Sequence, residues 1–205
     1  MSNNNQGSKT MGWWGNHKPK NMSFKEWAKK NYSFENVDIK HVALDAALVN
    51  FTQGYIACSR TEKTTGKTYV YVKVLFIKWI NNPLGNIMVK EIDETMVPRY
   101  YKCPERILNL LSPADEISEY PDIQKHINEW RAAAKKYIAN CKRWKKVQVG
   151  NVVTFEHGFS FAGENLTTFR LSNKKRLHFE PLENSIYDIV HIRKDSIVNS
   201  NFSVQ

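Results

Sequence analysis

Between residues 121 and 147 apolar side chains return every three or four positions: Ile123, Ile127, Trp130, Ala134, Tyr137, Ile138, Cys141 and Trp144. An α-helix gathers such a series on one face. The spacing predicts an amphipathic helix of about 25 residues, ~37 Å long at ~1.5 Å per residue, that stops near Gly150. Its other faces carry Lys125, Arg131, Lys135, Lys136, Lys142, Arg143 and Lys146. Lys145 lies nearer the apolar stripe, where a lysine rests its stem on hydrophobic surface and keeps its ammonium in water.

The chain on either side reads mainly as β structure. Tyr55 to Arg60 and Lys67 to Ile80 flank Thr61–Gly66, a hairpin connection. In the second arm Val70, Val72, Val74 and Phe76 line one face. Tyr69, Tyr71, Leu75, Ile77 and Trp79 line the other, which marks a central strand covered on both sides. His41 to Val49 fits strand or helix, and Ile87 to Ile92 reads as a further strand after a turn at 81–86. Ser23-Phe24-Lys25-Glu26 is a capping box that opens a short helix to about Asn31, with Phe24, Trp27 and Ala28 inward. Pro104 suits the first turn of a helix running to about Ser112, and an acidic linker follows over 113–121. Residues 151–205 hold five short strands: Val152–Glu156, Phe159–Phe161, Leu166–Leu171, Leu177–Glu180 and Ile186–Arg193. Tight turns between them indicate a small antiparallel barrel of SH3-like type. Residues 1–10 are polar and Asn-rich and are expected to be disordered, with Met1 or Met11 as the native start.

The expected fold is therefore α+β. An N-terminal antiparallel sheet with short helices (11–120) precedes a long basic amphipathic helix as connector (121–150) and a small SH3-like β-barrel (151–205).

Several function classes drop out. The chain has 205 residues, room for one domain or two small ones. Cys58, Cys103 and Cys141 form no CxxC pair, which argues against a disulfide framework or zinc knuckle and fits a reducing cytoplasm. No apolar run approaches the ~20 residues a bilayer requires, and the N-terminus has no signal-peptide apolar region, so no membrane partner is expected. The histidines His17, His41, His126, His157, His178 and His191 show neither HxxxH nor HExxH spacing, and no GxxxxGK[ST] or GxGxxG occurs. No metal, cofactor or nucleotide-hydrolysing motor is expected.

The net charge of +10 is uneven. Residues 1–37 hold six Lys/Arg against two acids, and residues 121–150 hold eight against two; the remaining stretches balance. Clustered cations favour a polyanion, because each neutralised phosphate releases condensed counterions. Lys18, Lys20, Lys135, Lys136, Lys142, Arg143 and Lys146 are the candidate phosphate contacts. Trp13 and Trp14, beside Lys18 and Lys20, are candidates for stacking on a base or anchoring a partner. Equally, these lysines can solvate an outer face and the tryptophans can pin the N-terminus to the core. Glu91, Asp93 and Glu94 could serve as acid, base or cation ligands, or make local hydrogen bonds in a loop. Cys103, at a helix start beside Lys102 and Arg106, has the setting of an activated thiol, but no histidine is near it in sequence. A small enzyme or nucleotide-sequestering protein would centre on Asp93, Glu94, Cys103 and His17. A protein–protein adaptor is a third reading.

Met11-Gly12-Trp13, Glu91-Ile92-Asp93-Glu94-Thr95-Met96-Val97-Pro98, Cys103-Pro104-Glu105-Arg106-Ile107-Leu108-Asn109-Leu110-Leu111-Ser112-Pro113 and Glu129-Trp130-Arg131 together resemble an uncharacterised family. Its members occur in phages and integrated mobile elements of low-GC bacteria. Val97 stands where that family usually has Gly. The resemblance implies a phage or mobile-element accessory protein in a bacterial host, of a kind that often opposes host defence, and it transfers no catalytic residue. The expectation is a non-enzymatic protein that binds nucleic acid or a nucleic-acid–protein complex, in its most concrete form an anti-CRISPR-like inhibitor.

Overall fold

The computed structural model describes residues 14–18, 21–32, 37–45, 52–62, 64–79, 86–96 and 102–205. Residues 1–10, Trp13 and Lys20 lie outside them, as does most of the 81–86 turn. The architecture is α+β, in two compact units, Met1–Ala134 and Lys135–Gln205.

The first unit is built on a five-stranded antiparallel sheet. Its strands are β1 (Trp14–His17), β2 (Val37–Asp45), β3 (Thr52–Thr61), β4 (Thr68–Trp79) and β5 (Asn86–Asp93), in the order β1-β5-β4-β3-β2. The strand expected to be central on its two apolar faces, β4, is the middle one. Val72, Val74, Leu75 and Ile77 on it are fully buried. The β3–β4 hairpin closes with Glu62 N–H on Lys67 O at 2.9 Å and Gly66 N–H on Glu62 O at 2.9 Å. Gly66 sits at φ +68°, the left-handed region that glycine enters without steric cost.

One sheet face packs on α1 (Phe24–Tyr32), whose Trp27 and Ala28 join Ile56, Cys58, Leu75, Ile77, Ile87 and Val89. The capping box is present. Ser23 N–H donates to Glu26 Oε2 at 2.8 Å, and Glu26 N–H donates to Ser23 Oγ at 3.2 Å. Ser23→Ala should cost about 1 kcal/mol, the usual loss for an N-cap, read as a lower denaturant midpoint at unchanged slope.

Two expectations for 104–121 are corrected. The helix is one turn, α2 (Glu105–Leu108), because Ser112 N–H is drawn onto the sheet at Val70 O (2.9 Å) and the chain must leave the helix to reach it. The linker contains a second turn, α3 (Ala114–Ile117), anchored by buried Ala114.

The long helix is α4 (Pro121–Lys146), 26 residues. The boundary between the units falls inside it, after Ala134. In the first unit Ile127, Trp130 and Ala134 are buried, and in the second Trp144 is.

The second unit adds β6 (Val152–Phe161), β7 (Glu164–Asn173), β8 (His178–Pro181), β9 (Val190–His191), α5 (Lys194–Asn199) and β10 (Phe202–Val204). The antiparallel order is β10-β6-β7-β8-β9, and among the described residues no pairing joins β9 to β10. Two expected strands, 152–156 and 159–161, are one strand whose register shifts between Thr154 and Phe159. Gly158 lies in that irregularity. A Cβ there would meet Asn165 Oδ1 at 2.6 Å and Leu166 O at 2.7 Å, so β6 and β7 approach closely only around a glycine. The strand expected over 186–193 is only Val190–His191, because Ile186 and Ile189 are exposed and have no core to face.

The core here is aromatic. Phe169 is fully buried, and its ring centroid lies 5.9–6.4 Å from those of Phe155, Phe159, Phe161 and Phe179. Tilted and edge-on pairs at such distances add to what area burial alone supplies.

Candidate nucleic-acid interface

The basic half of α4 belongs to the second unit, and its orientation follows from what it buries. Trp144 is 4% exposed, within 6.0 Å of the Phe179 ring and 6.3 Å of the Phe202 ring. Asn140, 4% exposed, donates both amide hydrogens, to Val198 O at 3.0 Å and Ser200 O at 2.8 Å. At 100° per residue, Lys135, Lys142 and Lys146 then share a line opposite Trp144. All three are exposed. Lys136 is exposed on the flank. No Asp or Glu occurs between 135 and 146, and the unit as a whole holds twelve Lys/Arg against six Asp/Glu.

On the Trp144 side, away from the face of that stripe, is a concavity of about 360 Å³ lined by Trp144, Lys145, Lys174, Lys175, Leu177 and Lys194. Four lysines from three separate stretches meet there, and no carboxylate is among the lining residues. Lys145 enters from the end of α4, where its position near the apolar stripe places it on the Trp144 side. Lys174 and Lys175 come from the turn after β7, which Asn173 shapes by accepting Arg176 N–H at 3.0 Å on Oδ1. Lys194 opens α5. Lys174 has a structural task as well. Its ammonium donates to Lys145 O at 3.0 Å and to Val147 O, and it lies 5.9 Å from the Trp144 ring centroid. The last carbonyls of a helix lack intrahelical partners and carry the negative end of its dipole, so a cation satisfies both. Leu177 holds φ +55°, an uncommon conformation for a branched side chain. Lys174, Lys175 and Lys194 escaped the sequence reading because residues 151–205 are neutral in sum; only folding brings these cations together.

The other sequence candidates fall as follows. Lys18 is corrected: it is 9% exposed, and its ammonium donates to Met22 O at 2.6 Å, which ties the chain entering α1 rather than facing solvent. Arg143 donates to Phe202 O at 2.7 Å and lies 5.5 Å from the Phe202 ring centroid, so part of its function is to fasten β10. Trp14 lies on β1, opposite Val89, with its side chain outside the described residues; the His17 side chain is outside them too.

The acidic loop has a structural task. Glu94 is fully buried and pairs with Arg131, Nε to Oε2 at 2.7 Å and Nη2 to Oε1 at 2.8 Å. The same carboxylate accepts Val72 N–H at 3.1 Å, while Arg131 Nη1 donates to Ser112 O at 2.6 Å. Ser112 in turn bonds Val70 through both its amide and its hydroxyl. Arg131, expected on an outer face of the helix, is thus turned inward. Burial pushes the Glu94 pKa up, and Arg131 and the Val72 amide pull it back. Cys103 is fully buried; burial, then the Glu94 charge, pushes its thiol pKa up, so it stays protonated and is a poor nucleophile. Asp93 accepts both the amide and hydroxyl hydrogens of Thr95, a local turn.

Comparison with protein-family models, curated proteins and solved structures finds no match. No helix among the described residues is long and apolar enough to cross a membrane.

Proposed function

We propose that this chain is a phage or mobile-element accessory protein that binds nucleic acid, free or held in a host protein complex, through the basic surface of residues 135–205. The observation that supports this reading is the convergence of Lys145, Lys174, Lys175 and Lys194 on one concavity without a lining carboxylate. Like charges gathered in one hollow repel, and a surface needed only for solubility would spread them. A phosphate polyanion turns that repulsion into affinity. The strand order β10-β6-β7-β8-β9, with the short helix α5 before the last strand, favours an SH3-like barrel as platform. In its concrete form the protein is anti-CRISPR-like, covering the nucleic acid on which a host defence nuclease depends, in the cytoplasm of a bacterial host.

The test is fluorescence anisotropy of a labelled oligonucleotide across a salt series. Lys135→Gln/Lys142→Gln/Lys146→Gln should weaken binding and lower the slope of log K against log salt by roughly two to three. Unchanged affinity and slope would make the stripe a solvated face. One observation favours an adaptor as second reading: Leu182, Ile186 and Ile189 are exposed between β8 and β9. Adaptor binding would survive high salt and nuclease treatment.

A further inference from the structure

We infer that the basic site of residues 135–205 takes the sugar–phosphate backbone of a double helix and reads no bases. This rests on the proposed nucleic-acid reading and specifies its ligand.

Single-stranded nucleic acid is usually held by two devices together, a cationic groove for the phosphates and exposed aromatic faces on which bases stack. Stacking contributes about 1–3 kcal/mol per base. The second unit has the first device and lacks the second. Its nine Phe, Tyr and Trp rings are all in or packed against its own core. Its exposed large apolar residues are Val149, Leu182, Ile186, Ile189 and Val204, none aromatic. The one ring lining the concavity, Trp144, is 4% exposed and has the Lys174 ammonium near its face, so no base can lie on it.

The four cations lining the concavity are lysines, without the rigid planar fork by which arginine pairs with one partner through two hydrogen bonds. Lysine is a compact point charge that binds a phosphate without selecting a neighbour.

Without stacking, charge density decides between strands. A duplex presents one charge per ~1.7 Å of axis, against one per ~3.4 Å for each of its strands. Over the mouth of the concavity a duplex therefore offers about twice the phosphates that a single strand does. A stiff duplex also loses less conformational freedom on binding than a flexible single strand.

The experiment titrates the full chain against a labelled 20-base-pair duplex, a scrambled duplex of equal composition and each separate strand, at several salt concentrations. The expected result is roughly ten-fold tighter binding to duplex than to single strand, less than two-fold change on scrambling, and a duplex slope lowered by roughly two in Lys175→Gln/Lys194→Gln. Single strands that bind as tightly as duplex, or a ten-fold loss on scrambling, would overturn this inference while leaving nucleic-acid binding in place. Failure of every oligonucleotide to bind would overturn both.

Discussion

Arg131→Ala should lower the stability of the N-terminal unit by about 3–5 kcal/mol, the loss typical when one partner leaves a buried ion pair. The variant strands a carboxylate that is 0% exposed, and it removes the donor to Ser112 O. Glu94→Leu/Arg131→Met should recover most of the loss, because removing both charges removes the desolvation cost together with the attraction. The pair is thus expected to matter more for which segments meet than for net stability. Denaturant melts of the parent, Arg131→Ala and the double variant decide it. A loss under 1 kcal/mol in the single variant would mean that water reaches the carboxylate.

The pH dependence has a definite sign. Burial raises the Glu94 pKa in the folded chain, and loss of Arg131 raises it further. A folded pKa above the unfolded one means that the folded state holds its proton where the unfolded chain has released it. The stability is therefore fully present below the ordinary carboxylate value and is lost as pH climbs through the raised folded value. Arg131→Ala should be less destabilised at pH 5 than at pH 8, and Glu94→Gln in the same background should flatten the difference.

Phe169→Ala should cost the C-terminal unit about 3–5 kcal/mol. Phe169 is fully buried with four ring neighbours, so truncation leaves a hole that several aromatic side chains border and none can fill without leaving its rotamer. The loss should appear in the denaturant midpoint and in faster amide exchange along Leu166–Leu171. Phe169→Leu should recover part of it. A cost below 1 kcal/mol for Phe169→Ala would show that the cluster collapses around the void, in which case the packing is looser than the ring distances indicate.

Periodicity made the long helix, the central strand β4 and the β3–β4 hairpin readable, because each depends on neighbours close in the chain. The Ser23/Glu26 capping box was readable for the same reason, its two hydrogen bonds spanning three residues. The short elements were not. In β10 only Phe202 faces the core, and one buried position in three residues has no period. The exposed Ile186 and Ile189 read as strand because a segment rich in Ile, Val and Tyr has strand composition whether or not a core faces it.

The motif segments led by Glu94, Cys103 and Arg131 were visible as a label, but their common physical task was not. Glu94 and Arg131 are 37 positions apart, and nothing local marks either as the other's partner. Arg131 sits among helix cations that read as an outer face, and only the sheet beside it turns its guanidinium inward. Lys18 shows the reverse case, a lysine counted with the surface charges whose ammonium ends on a backbone carbonyl.

The amino-acid order by itself determined the α+β class, the long amphipathic helix and an excess of positive charge in its second half, since all three are sums or repeats over adjacent residues. Tertiary structure alone decided where that charge becomes a surface. It spent Lys18 and part of Arg143 on carbonyls, buried Arg131 against Glu94, and drew Lys174, Lys175 and Lys194 from a neutral stretch to the end of the helix. The physical reason is that a charge's environment is set by whatever the fold places within a few ångströms of it, and for these residues those neighbours are distant in the chain.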